Sequence, residues 1–227
     1  MNFGSFKAQI NECSAILRHL EMDNDFIPCP QYPSSPRAYF KGMHYKDIWR
    51  TCLQNRYYHF QLFDNSLLYF EHINSDEVSL SYYDFPYDAV NYFDFINSYG
   101  FLYADVGDEL REDYDDYITT CAIKESVTSM RYDVSYEQYD EGKHPISHLH
   151  IGHNNTVRIR TEKLLGPLAF LYFVLRQNYP DFWKKFVKEK DCLTLINAVR
   201  LKLDGLNTRH QKYKAVSPLD MCELYLN

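Results

Sequence analysis

The chain has 227 residues, 45 % of them hydrophobic and 24 % charged, with a net charge of −7. That length and apolar content suffice for one sizeable core, while the acidic balance argues against a protein that coats nucleic acid non-specifically, because phosphate neutralisation needs a surplus of Lys and Arg. No apolar run approaches the roughly 18 residues that cross a bilayer, and Met1-Asn2-Phe3-Gly4-Ser5 lacks the basic start of a signal peptide, so a soluble, cytoplasmic chain without a membrane partner is expected.

Phe6, Ile10, Cys13, Ile16, Leu17 and Leu20 recur at spacings of three and four, which predicts an amphipathic helix over Phe3 to Met22. Pro28, Pro30, Pro33 and Pro36 then remove backbone donors and predict an extended segment wrapping the surface. A short helix follows at Tyr45 to Asn55. Arg56 to Phe63 and Leu67 to Ile73 read as aromatic-rich strands joined at Asp64-Asn65-Ser66, a β-hairpin. Glu77 to Phe85 is a third strand, with Val78, Leu80 and Tyr82 on one face and Ser79, Ser81 and Tyr83 on the other.

Asp88 to Ser98 reads as a helix stopped by Gly100, whose conformational freedom suits a helix end. The acidic run Asp105 to Asp116 lacks the ligand order of an EF-hand and is expected to be a solvated loop. Asp116 to Ile123 and Val127 to Ser135 are expected to form another hairpin. Thr156 to Thr161 alternates as a strand. Helices are expected at Leu168 to Gln177, behind Pro167, then at Asp181 to Lys190, Asp191 to Leu203 and Pro218 to Leu226. Cys13, Cys29, Cys52, Cys121, Cys192 and Cys222 are scattered singly, as thiols in a reducing compartment are. The order predicts one α+β domain over 1–227. Residues 1–55 form a helical and extended opening segment, 56–161 a meander-like antiparallel β-sheet of five to seven strands, and 162–227 a helical region. The amino-terminal and carboxy-terminal helices pack on one sheet face.

The most informative stretch is His144-Pro145-Ile146-Ser147-His148-Leu149-His150-Ile151-Gly152-His153, which holds four of the nine histidines. On a strand His148 and His150 leave the same face, with Leu149 and Ile151 on the other. If His153-Asn154-Asn155 is a three-residue turn, Leu149 faces Ile159, His150 faces Arg158 and His148 faces Arg160. A two-residue turn would scramble both faces, so side-chain period selects this register. Were Met130 to Ser135 to lie beside the histidine strand, Arg131 and Asp133 would join the polar face. Facing cations call for an anion: Asp133, a carboxylate of the acidic run, or a bound phosphate, which the planar Arg fork grips bidentately.

Two chemistries and a structural alternative compete for these residues. In the first, His148 and His150, with His144, act as acid and base in phosphodiester cleavage while Arg131, Arg158 and Arg160 clamp the phosphate and Asp133 and Ser147 support them. In the second, His144, His148, His150 and His153 supply ligands to zinc or manganese, although neighbouring arginines disfavour a dication. In the third, the histidines are satisfied by Tyr hydroxyls on a polar sheet face. The expected ligand is therefore a nucleic acid or nucleotide. A non-catalytic subunit whose Tyr-rich surface docks onto a partner protein is the rival from another class.

The residues Arg131-Tyr132-Asp133, His144-Pro145-Ile146-Ser147-His148-Leu149, Arg158-Ile159 and the helix running to Tyr179-Pro180 resemble the R-Y-D, H-P-x-x-H-L, R-I and Y-P pattern of an uncharacterised bacterial family of the domain-of-unknown-function 2290 type. The resemblance lies mainly in Arg131 to Trp183. It implies a cytosolic bacterial protein acting as an accessory or effector component of a defence or mobile-element system.

Overall fold

The computed structural model describes residues 2–33, 36–153, 156–161, 164–189, 194, 196 and 197. Seven antiparallel strands lie in one sheet in chain order: β1 (Asp23–Phe26), β2 (Phe60–Leu62), β3 (Leu67–Asn74), β4 (Glu77–Tyr83), β5 (Met130–Ser135), β6 (Ser147–Ile151) and β7 (Ile159–Arg160). The α+β meander expected from the sequence is therefore present. No helix among the described residues is long and apolar enough to cross a membrane.

One sheet face is the main core. Phe70, Leu80, Tyr82, Tyr132, Val134 and Leu149 project from it against α1 (Phe3–His19) and α7 (Pro167–Asn178). The Asn2 side chain caps α1 by accepting a hydrogen bond from the Ser5 amide at 2.8 Å, and the helix buries Phe6, Ile10, Cys13, Ile16 and Leu17, the periodic residues of the sequence. Pro167 opens α7, where the first turn needs no amide donor, and the helix is apolar nearly all round because α1, the sheet and α8 (Pro180–Lys188) enclose it. The two long helices also meet through polar atoms: the Leu168 amide donates to Gln9 Oε1 at 3.3 Å.

Asn65 turns β2 into β3 with φ +64°, a conformation that Asn tolerates, and its groups tie the turn to the second core. Its carbonyl accepts from Trp49 Nε1 at 2.9 Å and its amide donates to the Tyr114 hydroxyl at 2.8 Å. That core contains Ile48, Trp49, Cys52, Phe85, Tyr87, Tyr92, Phe95, Ile96, Tyr114 and Ile118. It is built by α3 (Tyr45–Gln54), α4 (Tyr92–Ser98) and α6 (Arg111–Thr120), within the excursion between β4 and β5 and the segment before β2. A single-turn helix, α2 (Pro36–Tyr39), follows the proline-rich stretch, and α5 (Tyr103–Val106) follows Gly100, which takes φ +81° beyond the end of α4.

Two expectations need correction. The acidic run is not a loop: it contributes to α5 and α6, whose first turn carries Glu112 and Asp113, favourably placed at a helix start. Residues 116–123 are not a strand either. Tyr114 and Ile118, one helical turn apart, are both buried in the second core, and that packing overrides the β-propensity of Tyr117-Ile118-Thr119-Thr120. β4 consequently pairs directly with β5. Residues 27–33 form no regular element, Pro36 of the expected extended stretch opens α2, and Asp23–Phe26 pairs with β2 as an edge strand. The helix expected at Asp191 to Leu203 lies almost wholly outside the described residues, and that at Pro218 to Leu226 entirely so.

Two measurements check this packing. Leu149→Ala, at a position 2 % exposed, is expected to cost about 2–5 kcal/mol in urea unfolding, whereas Val157→Ala, at 59 % exposure, stays within about 0.5 kcal/mol. His59 is buried and its Nδ1 accepts from the Phe70 amide at 3.2 Å; burial holds its pKa down to about 4 from 6.5. Between those values the unfolded chain binds the extra proton, so the stability due to neutral His59 is present above pH 6.5 and is lost as pH falls towards 4. The slope of unfolding free energy against pH in that window is expected to be shallower in His59→Gln than in the natural chain.

Candidate functional site

The sheet face opposite α1 and α7 is polar, and its composition follows from strand register. Pairing places Glu71, Ser79, Asp133, His148 and Arg160 in one row across β3 to β7, and Tyr69, Ser81, Arg131 and His150 in the next. The His148–Arg160 and Leu149–Ile159 partners are those that side-chain period requires. Arg131 and Asp133 join the histidines because β5 is the neighbour of β6.

Asp133 is the centre of this face and is 3 % exposed. Its Oδ1 accepts from Ser79 Oγ at 2.8 Å and its Oδ2 from Arg131 Nε at 2.8 Å. Arg131 is thus met by Asp133, one of the three anions that the facing cations called for. His150 Nε2 and His148 Nε2 lie 3.6 Å and 4.0 Å from the same Oδ2.

The backbone fixes the ring proton of His148. His148 Nδ1 is 3.0 Å from the Pro145 carbonyl, which can only accept, so Nδ1 carries the hydrogen and Nε2 a lone pair. The Val157 backbone beside the His150 ring favours its charged form. Burial, then the Arg131 charge, holds His150 down to about 4, and burial lowers His148 despite the opposing pull of Asp133. Both rings are neutral at pH 7. His148 Nε2 is buried and has no hydrogen-bond partner among the described residues. Asp133, His148 and His150 offer three donor atoms all within 4.8 Å of one another, a set able to hold a metal ion.

A cleft of about 790 Å³ opens over this row, with Ser79, Ser81, Arg131, Asp133 and His150 on its floor. Tyr32, Phe40, Tyr45, Tyr69 and Tyr83 form aromatic walls. Tyr32, from the proline-rich segment, stacks on Tyr69 with ring centroids 3.8 Å apart, and its hydroxyl bonds that of Tyr83 at 3.0 Å. Among the Asp, Glu, Lys and Arg of the lining, three are carboxylates (Glu71, Glu77, Asp133) and two are cations (Lys41, Arg131).

The remaining sequence-predicted residues spread out. His144 stands behind the site, its ring 4.8 Å from that of His148. His153 lies on the cleft wall, near the Met43 carbonyl at 3.3 Å and against the Tyr45 ring, apart from the other histidines. Arg158 is exposed and its Nη1 donates to the Thr156 carbonyl at 3.3 Å. Arg160 is half-buried opposite His148. Ser147 points the other way, into the main core, where its hydroxyl bonds those of Tyr132 and Thr161, because odd-numbered residues of β6 face α7. The aromatic walls were not legible as site residues: Tyr32 and Tyr45 stand far from the histidines in sequence, and the alternation Ser79-Ser81-Tyr83 was the signal available.

The model of a family described as an uncharacterised conserved protein, DUF2290, matches residues 12–212. The chain belongs to that family. No curated protein and no solved structure matches it. The match takes in every residue of the DUF2290 polar face named above.

Asp133 is held by Ser79 and Arg131 and in turn neutralises a partly exposed guanidinium. Asp133→Ala is therefore expected to destabilise the fold by on the order of 1–3 kcal/mol, and Ser79→Ala by on the order of 1 kcal/mol, in denaturant unfolding of the metal-free protein. Equal stability of Asp133→Ala and the natural chain would show that the carboxylate has no net structural role.

Proposed function

We propose that this protein recognises a phosphate group on an aromatic ligand, a nucleotide or a nucleotide unit of a nucleic acid, in the cleft on the polar sheet face. The observation that carries this reading is the pairing of Arg131 and His150 on the floor beneath walls of Tyr32, Phe40, Tyr69 and Tyr83. Arg131 uses Nε for Asp133, and its side chain is 40 % exposed, which leaves its terminal nitrogens for an anion. Tyrosine faces suit a base, which stacks without sequence preference. Phosphodiester cleavage is the reaction proposed for such a ligand, with His150 as the histidine that touches it. His148, which has no exposed surface, supports that role from behind and does not touch the nucleotide. The neutral state of both rings favours acceptor roles over a general acid.

A role as effector or accessory component of a bacterial defence system belongs to the same proposal and draws its support from the motif resemblance. A cytoplasmic setting is supported by the free thiols Cys13, Cys29, Cys52 and Cys121. A second reading, a non-catalytic subunit docking onto a partner protein, is favoured by a run of exposed apolar residues at the end of α4 and the start of α5: Tyr99, Phe101, Leu102 and Tyr103. In that case the purified chain self-associates or copurifies with a partner, and Phe101→Asp with Leu102→Asp abolishes the association.

Fluorescence anisotropy with labelled mononucleotides and short oligonucleotides at several salt concentrations tests the main reading. Arg131→Ala is expected to weaken binding about tenfold or more and to flatten the salt dependence, with Arg131→Lys in between. Unchanged affinity in Arg131→Ala would remove the proposed phosphate contact.

A further inference from the structure

We propose that Asp133, His148 and His150 bind a divalent transition-metal ion of the zinc class on the floor of the cleft. The inference stands on donor geometry and does not depend on a nucleotide being the ligand. Three electron-rich atoms converge there: Asp133 Oδ2, His150 Nε2 at 3.6 Å from it, and His148 Nε2 at 4.0 Å. With its ring proton committed to the Pro145 carbonyl, His148 presents the Nε2 lone pair to a carboxylate oxygen, beside His150 Nε2. Lone pairs facing one another repel unless something positive lies between them. Arg131 Nε supplies one hydrogen bond to Oδ2, and that oxygen has further acceptor capacity. The decisive atom is His148 Nε2, on a side chain with no exposed surface and without a hydrogen-bond partner among the described residues. Buried acceptors are almost always satisfied, and a metal bond would satisfy this one.

The separations fit the ion. Bonds of about 2.0–2.1 Å in a tetrahedral sphere put ligand atoms about 3.3–3.4 Å apart, so Asp133 Oδ2 has to approach His150 Nε2 by about 0.3 Å and His148 Nε2 by about 0.6 Å, within a donor set that already lies inside 4.8 Å. Their surroundings fit as well. Ligating histidines characteristically donate their second nitrogen to a carbonyl or carboxylate, as His148 does to Pro145. Two imidazoles and one carboxylate select a first-row transition ion over calcium or magnesium, which prefer oxygen. Three protein ligands leave at least one position for water or an anionic group, and the floor beside His150 opens into the cleft. The ion would also reverse the charge of a lining in which carboxylates outnumber Lys and Arg. His144 and His153 are outside the set of three converging donors: His144 adjoins the His148 ring and pairs with Asp140 in an isolated β-bridge, and His153 is turned to Met43.

The test uses the full chain purified without a polyhistidine tag, stripped with a chelator and titrated with zinc against a chromophoric competitor. Cobalt replaces zinc in a parallel visible-absorption measurement. Near-stoichiometric zinc binding is expected, together with cobalt bands of a low-coordinate nitrogen and oxygen site. Asp133→Asn and His150→Gln are expected to weaken zinc about 100-fold or more, while His144→Gln changes affinity less than about threefold. These partly exposed or isosteric changes keep the result readable should His148→Gln fail to fold, and circular dichroism confirms that each variant is native. Absence of stoichiometric zinc in the natural chain, or affinity unchanged in both Asp133→Asn and His150→Gln, would overturn the proposal. Oligonucleotide binding measured with zinc and with chelator separates the two readings: zinc without nucleotide sinks the phosphate reading alone, and nucleotide binding in chelator by a chain that takes no zinc sinks the metal site alone.

Discussion

Strand parity is the constraint on which this protein depends. Successive residues of a strand face opposite ways, so a slip of one position anywhere between β3 and β7 would send the polar row into the helical core and the apolar row into the cleft. From β4 to β6 the pairing runs without a break, and each partner along it keeps its face. The turn residues and the buried hydroxyls enforce that register. Tyr132, Ser147 and Thr161 join β5, β6 and the end of β7 through hydroxyls on the core side, bonds that a one-residue slip of β6 would break by turning Ser147 to the other face.

Burying Asp133 on such a face is costly unless its charge is met, and the chain meets it from its own row and the adjacent one. Serine from β4 and arginine from its own strand hold the two oxygens, while imidazoles from β6 approach the second. The arginine is only partly withdrawn from water, so the ion pair is a boundary between the dry sheet and the wet cleft. Depth divides the histidines in the same way: His150 reaches the cleft and His148 lies wholly beneath it.

Much of this arrangement was legible in the residues. Alternation alone fixed the β6–β7 register and put His148 and His150 on one face, because a two-residue period leaves few choices once one face must be apolar; Arg131 and Asp133 joined them on the further condition that their strand lie beside β6, which it does. The helical ends were legible from their spacing and from Pro167. What alternation could not convey was long-range closure. Tyr117-Ile118-Thr119-Thr120 has strand-like composition, and packing of Tyr114, Tyr117 and Ile118 into the second core, with Phe95 against both tyrosines, makes a helix of it. Tyr32 becomes a wall because a segment rich in proline passes over β3, a placement decided by tertiary contact. Ser147, adjacent to a histidine in sequence, sits on the opposite side of the sheet for the same parity that unites the others.

The chain-order sheet has a kinetic meaning as well. Each strand pairs with the one before it, so β2 to β4 and β6 to β7 can form as hairpins with short loops to close, while the β4–β5 excursion joins α3 from before β2 in the second core. The long-range demand falls on the helices: Gln9 of α1 must find Leu168 of α7, 159 positions away. A chain emerging from the ribosome could thus form the face that bears Asp133 before its hydrophobic back is covered. Until α7 has emerged, that uncovered back is the surface most exposed to aggregation.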